Sequence, residues 1–121
     1  MIGLGVDLVD VARFRQSLAR SPRLALRLFT PDERDYAERS GDPAERLAAR
    51  FAAKEAVMKA LGVGIGAFAF HDVAVVVTDD GAPSLVLGGA ARALADGRGV
   101  RAWHVSLTHT ALVAEAVAIA E

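Results

Sequence analysis

The 121-residue chain contains no cysteine. Disulfides, a thiolate nucleophile and cysteine-ligated zinc are therefore excluded. An excess of charge is also lacking: 14 basic and 15 acidic residues leave a net charge of −1. That balance argues against a general nucleic-acid binder. No apolar run reaches the roughly 18 residues of a membrane span. The N-terminus carries Asp7, Asp10 and Arg13 where a signal peptide would have a basic segment followed by an apolar one. The expectation is a soluble cytoplasmic protein with no membrane or nucleic-acid partner. Histidine is scarce at three residues, His71, His104 and His109, and none forms a zinc-protease pattern. What is present is core-forming: 53% of residues are hydrophobic and mean hydropathy is +0.31. Residues 1–121 read as one domain large enough to bury a core without covalent staples.

Ile2, Leu4, Val6 and Leu8 alternate with Gly3, Gly5 and Asp7, the period of a strand over residues 1–8. One face is apolar and the other is two glycines and an acid. Asp10 predicts an N-cap for a helix over 11–20, and a short helical stretch follows Pro22 to Phe29. Thr30-Pro31-Asp32-Glu33 reads as a capping box opening a third helix that ends near Ser40-Gly41. Asp42-Pro43-Ala44-Glu45 repeats that logic before the longest helix, 43–61, which Gly62 terminates. Residues 62–67 are a glycine-rich connection. Strands follow at 70–78 and 84–87 around an Asp79–Pro83 turn, then a helix at 89–97 and strands at 101–110 and 112–120. The order predicts an α+β fold with a mainly antiparallel sheet and a long central helix.

Three groups of residues stand out. At about 100° per residue, Leu47, Phe51, Met58 and Leu61 form the apolar stripe of the long helix, with Lys54 inside it and Glu55 and Lys59 on its flank. A plain reading is a Glu55–Lys59 pair one turn apart and a Lys54 whose stem lies on the core while its head reaches water. Asp7 is the second anomaly, because carboxylates are depleted within strands. The adjacent glycines leave room for a ligand or for another backbone; alternatively Asp7 ends its strand and caps a turn. Two hard carboxylates from different elements, near basic residues, suit Mg²⁺ together with substrate phosphates. The third group is Trp103–Thr110. His104, Ser106, Thr108 and Thr110 alternate with His109 and its apolar neighbours, and hydroxyls with a histidine at a strand end suit phosphate. No nucleophile elbow accompanies Ser106. The Gly62/Gly64/Gly66 spacing follows a helix, so it fails the context of a dinucleotide or Walker loop. It does let backbone approach a ligand. Residues 10–29 carry five arginines against Asp10 alone, a local net of +4. Such a face suits an acidic protein partner.

These motifs coincide with one pattern. The opening Gly5-Val-Asp-Leu-Val-Asp-Val-Ala-Arg-Phe14, then Phe29–Glu33, the run Arg50-Phe-Ala-Ala-Lys-Glu-Ala-Val-Met-Lys59, and Val105–Thr110 resemble, in that order, the holo-acyl-carrier-protein synthases. These are the small, single-domain type of 4′-phosphopantetheinyl transferase. The resemblance implies their fold, and transfer of the 4′-phosphopantetheine arm of coenzyme A to a serine of an apo-acyl carrier protein. It implies release of 3′,5′-ADP, Mg²⁺ dependence, a role in fatty-acid or polyketide synthesis, and a homotrimer with interfacial sites. By the same resemblance Asp7 and Glu55 hold the metal, while Lys59 and His109 serve the phosphates. Coenzyme A then meets Arg50, Lys54, Lys59, Gly62, Gly64, Ser106, His109 and Thr110, and Arg13, Arg20, Arg23 and Arg27 meet the carrier. Phe51 stands where many members have tryptophan, and residues 67–69 are less basic than in some. A rival reading is a coenzyme A-binding module without transferase activity. A third is a purely structural oligomerisation domain.

Overall fold

The alternation at the N-terminus becomes β1 (Gly3–Asp10), two residues longer at its C-terminal end than the pattern alone predicted. Asp7 is thus internal to the strand and does not cap a turn. The computed structural model describes residues 1–121. Asp10 still caps α1 (Val11–Arg20), its carboxylate accepting from the Arg13 amide at 3.0 Å. After α2 (Leu24–Leu28), the expected capping box opens α3 (Pro31–Glu38): the Thr30 hydroxyl accepts from the Glu33 amide and Glu33 accepts from the Thr30 amide. The second box does not form before α4 (Pro43–Ala60). Asp42 pairs instead with Arg15, and Glu45 pairs with His109. Charge-assisted bonds to distant partners outcompete local capping there.

A 3₁₀ turn at Phe70–Asp72 leads into the hairpin β2 (Val73–Val77) and β3 (Pro83–Leu87). Then come α5 (Gly89–Gly97), β4 (Trp103–His109) and β5 (Val113–Ala120). The strands form a separate two-stranded hairpin and an antiparallel three-stranded sheet in the order β1-β5-β4. Asp7 lies opposite Ala116, which lies opposite Leu107, so the register sets one row across the sheet.

Helix α4 crosses the inner face of this sheet, and small residues make that possible. Ala114, Ala116, Ala118 and Ala120 of β5 are buried beneath it, facing its own buried Ala52, Ala53, Ala56 and Ala60. The glycines of β1 belong to the same contact. A Cβ on Gly3 would stand 1.8 Å from the Ala60 carbonyl oxygen, and one on Gly5 1.8 Å from that of Ala56. Of the two ways to read those glycines, the structure chooses the approach of another backbone. The outer face of the sheet stays uncovered within one chain, leaving Leu4, Val6 and Leu8 exposed. A second cluster, with Phe14, Leu28, Phe29 and Leu47, seals α1–α3 against the first half of α4.

Candidate active site

Because β1 lies so close to α4, the side chain that follows its glycines on the same face reaches the helix flank. The Lys59 ammonium donates to Asp7 Oδ1 at 3.0 Å and to the Val6 carbonyl at 3.1 Å. The lysine therefore bridges helix to strand, where a pair with Glu55 along the helix was the plainer expectation. Asp7 is largely covered, at 12% side-chain exposure, while Lys59 is half exposed. Glu55 faces the same place. Burial raises its pKa above the ordinary carboxylate value, and the Asp7 charge raises it further, against the opposing pull of Lys59. Asp7 and Glu55 line one open cavity of about 270 Å³ with Asp10, Arg13, Ser17 and Phe51. Two carboxylates close enough to repel, with no histidine or cysteine in the lining, make a hard-oxygen site. They fit Mg²⁺, which typically takes one or two protein carboxylates, several waters and substrate phosphates. No group of three or more histidine, aspartate or glutamate side chains converges into a cage anywhere in the chain, this site included.

A second cavity, of about 290 Å³, opens on the opposite flank of α4, lined by Tyr36, Arg46, Arg50, Gly81, Pro83 and His109 among others. Arg50 and Glu55 are five positions apart, about 140° around the helix axis. The two cavities share no residue. His109 sits at the end of β4 with Nδ1 2.7 Å from Glu45 Oε1, which leaves Nε2 free of that contact. Sequence reasoning named Arg50 and His109 here but missed Tyr36, Arg46 and Glu45. The available signals were that Tyr36 is the single tyrosine and that Arg46 and Arg50 are like charges one turn apart.

Other expected coenzyme A residues do not converge. Lys54 is 0% exposed: its ammonium donates to Glu33 Oε1 at 2.8 Å, to the Phe70 carbonyl at 3.0 Å and to the Val73 carbonyl. All three donors are used, so it neither reaches water nor has one left for a ligand. Burial lowers its pKa, with Glu33 opposing. Glu33, equally buried, also accepts from the Thr30 and Val75 amides. Lys54 is thus a structural tie between α3, α4 and β2. Ser106 lies on the outer sheet face, in register with Val117 and Val6, and points away from His109 and Asp7. Gly62, at φ +69°, ends α4 in a conformation that favours glycine, and neither Gly62 nor Gly64 lines either cavity. Thr110 spends its hydroxyl oxygen as acceptor for the Leu112 and Val113 amides at the β4–β5 turn.

The arginine face divides as well. Arg13 lines the Asp7–Glu55 cavity, while Arg23 and Arg27 line an exposed cleft of about 450 Å³ at the α1–α2 turn, beside exposed Arg20 and Leu26. Arg15 is taken by Asp42.

Comparison with known proteins shows the family and the fold. The family model of the 4′-phosphopantetheinyl transferase superfamily matches residues 3–120. The holo-[acyl-carrier-protein] synthase of Beutenbergia cavernae is 52% identical over 121 residues, covering 100% of this chain and 98% of its own. Among solved structures, the holo-[acyl-carrier-protein] synthase of Neisseria meningitidis superposes with a TM-score of 0.90 at 32% identity, covering 100% and 99% of the two chains. That of Helicobacter pylori, solved in complex with coenzyme A, gives 0.86 at 29% identity, covering 98% and 99%.

Proposed function

Because the chain belongs to the 4′-phosphopantetheinyl transferase superfamily, we propose that it moves the 4′-phosphopantetheine arm of coenzyme A onto a serine of an apo-acyl carrier protein. The observation that carries this reading is the convergence of Asp7, Glu55 and Lys59 across the β1–α4 contact. In the reaction the carrier serine oxygen bonds to the phosphorus that bears pantetheine. The bond from that phosphorus to the bridging oxygen breaks, its electron pair leaves with 3′,5′-ADP, and the serine proton is released. The attacking hydroxyl belongs to the substrate, so the chain needs no nucleophile of its own. Phosphoryl transfer asks instead for positioning and charge neutralisation.

Asp7 and Glu55 would hold Mg²⁺, which supplies Lewis-acid neutralisation of the pyrophosphate. Lys59 is fixed by Asp7 and the Val6 carbonyl, and its half-exposed ammonium faces the charge that develops on the leaving phosphate. Arg46, Arg50 and His109 would take the nucleotide end of coenzyme A. Those two regions lie on opposite flanks of α4, so one copy does not face a single ligand with both. A homotrimer in which Asp7 and Glu55 of one copy meet Arg50 and His109 of its neighbour resolves the geometry, and the uncovered apolar face of the sheet supports such an assembly. Arg13, beside the cavity, and Arg20, Arg23 and Arg27 at the α1–α2 turn would steer an acidic carrier toward it. This reading places the reaction in the cytoplasm, in fatty-acid or polyketide assembly. No helix of the chain is long and apolar enough to cross a membrane.

The test is direct. The protein is incubated with coenzyme A, Mg²⁺ and apo-acyl carrier protein, and the carrier is weighed by intact-mass spectrometry with an EDTA control. A magnesium-dependent gain of one phosphopantetheine arm is expected. Asp7→Ala and Glu55→Ala should each lower kcat by at least about 10²-fold, the loss of several kcal/mol of charge stabilisation. Wild-type turnover by either variant would refute the metal assignment.

A further inference from the structure

Two guanidinium groups of α4 rest on one aromatic ring of α3. The carbon at the centre of the Arg46 guanidinium lies 4.5 Å from the Tyr36 ring centroid, and that of Arg50 lies 4.4 Å from it. Arg46 also donates to the Tyr36 carbonyl at 3.0 Å, and Arg50 to the Arg46 carbonyl at 3.4 Å. Arg50 is only 5% exposed, and its Nε is buried without a hydrogen-bond partner. Neither arginine forms an ion pair. Asp32 and Asp35 line the adjoining cavity with Arg50 and Tyr36, yet neither carboxylate pairs with it.

Such an arrangement is unfavourable in isolation. Like charges one helical turn apart repel, and a buried cation without a carboxylate pays desolvation. Tyr36 is what holds the pair: a planar guanidinium stacks on an aromatic face where a point-like ammonium would not be oriented. Both arginines line the cavity that His109 also lines. Two preset forks suit a dianion with several acceptor oxygens, which is the character of a phosphate monoester. Coenzyme A carries a single such group, on its ribose, whereas its pyrophosphate is engaged at the transfer site.

Building on the functional reading above, we infer that Tyr36 is a positioning residue for substrate selection. It orients Arg46 and Arg50 so that the chain distinguishes coenzyme A, with its ribose phosphate monoester, from dephospho-coenzyme A, which lacks it. Tyr36 itself makes no bond to the reacting atoms. Its contribution belongs in KM for coenzyme A and not in kcat.

The experiment compares wild type, Tyr36→Leu and Tyr36→Phe with coenzyme A and with dephospho-coenzyme A as arm donor. Equilibrium binding of 3′,5′-ADP against 5′-AMP is measured alongside. Tyr36→Leu should raise KM for coenzyme A about tenfold, equivalent to about 1.4 kcal/mol. Its kcat and its KM for dephospho-coenzyme A should stay within about twofold, and 3′,5′-ADP should lose its advantage over 5′-AMP. Tyr36→Phe keeps the ring and should behave as wild type. An equal change for both donors, or none, would overturn the proposal, since a merely structural role does not sense one phosphate. If Tyr36→Leu fails to fold, Arg46→Lys keeps the charge, loses the planar stack, and should show the same selective loss. Absence of any transfer by wild type would refute the functional reading instead, and the nucleotide-binding comparison would still decide the role of Tyr36.

Discussion

Replacing Lys54 by methionine removes the cation that pairs with a buried carboxylate. In the native chain the ammonium satisfies Glu33 Oε1, the Phe70 carbonyl and the Val73 carbonyl, at 0% exposure. Methionine fills much the same volume, so the packing contribution is small. The Phe70 carbonyl keeps the Val73 amide as a donor. Glu33 keeps the Thr30 and Val75 amides but loses its counter-charge in the interior. Breaking a buried pair from one side costs about 3–5 kcal/mol. Against a typical total stability of about 5–15 kcal/mol that is a large fraction. It corresponds to a fall in Tm of about 12–20 °C for a chain of this size. The single tryptophan, Trp103, is half-buried on β4 and reports unfolding by its fluorescence in a urea titration at fixed protein concentration. The double variant Glu33→Gln/Lys54→Met removes the charge and keeps an oxygen acceptor for one of the two amides, which the carboxylate meets on separate oxygens. It should recover about 1–2 kcal/mol of the loss, within the range of coupling seen between contacting residues. A Lys54→Met loss below about 1 kcal/mol, or strictly additive variants, would refute the account of Lys54 as a charge-paired tie.

Three further outcomes are expected. Gly5→Ala drives a Cβ into the Ala56 carbonyl oxygen and should cost at least about 3 kcal/mol, whereas Gly64→Ala meets nothing within 4 Å; circular-dichroism melts separate the two. Glu55 has a raised pKa in the folded chain, so the native state binds more protons than the unfolded state just above pH 4.5 and its stability falls as pH rises through that window. Glu55→Gln should therefore be more stable than wild type at pH 7 in EDTA, with the gap closing below the unfolded pKa; an unchanged gap across the titration would contradict the raised pKa that burial and the Asp7 charge together give Glu55. Arg13→Ala combined with Arg23→Ala should raise KM for the carrier about tenfold or more, the sum of several rim charges, and leave KM for coenzyme A unchanged, as steady-state kinetics would show.

The elements were legible because each carries its own period or cap: alternation in β1, the Thr30–Glu33 box, the Gly62 stop. Asp7 stood out because a carboxylate breaks the pattern of its strand, whereas Glu55 and Lys59, on the flank of α4, read alone as an ordinary pair and drew attention only together with Asp7. What stayed hidden is what depends on partners far apart in the chain. Nothing in the wheel of α4 distinguishes a lysine that reaches water from one that ends on Glu33, because the deciding acceptors come from α3 and the 3₁₀ turn. Asp42 and Glu45 read as caps from local spacing, yet Arg15 and His109 compete for them across folds of the chain. Tyr36 had no periodic role at all; its meaning appears only when α3 sets its ring against Arg46 and Arg50.

These separate features follow from one packing decision. Glycines at positions 3 and 5 and alanines along β5 let α4 lie unusually close to the sheet. A helix pressed that close has almost no solvated side, so polar groups survive on it only at its two flanks or when fully paired. Lys54, facing inward, is paired with Glu33. Glu55 and Lys59 emerge on the β1 flank, where Asp7 waits beyond the last glycine. Arg46 and Arg50 emerge on the other, where Tyr36 holds them beside His109. The close helix–sheet contact thus sorts the charges of α4 into a carboxylate site and an anion site on opposite flanks. On the function proposed above, a ligand carrying both a pyrophosphate and a separate phosphate monoester would meet these flanks from different copies of the chain. Substitution of Gly5 should consequently disturb catalysis at Asp7 before it disturbs nucleotide binding at Arg50, since only the first site is built directly on the β1–α4 contact.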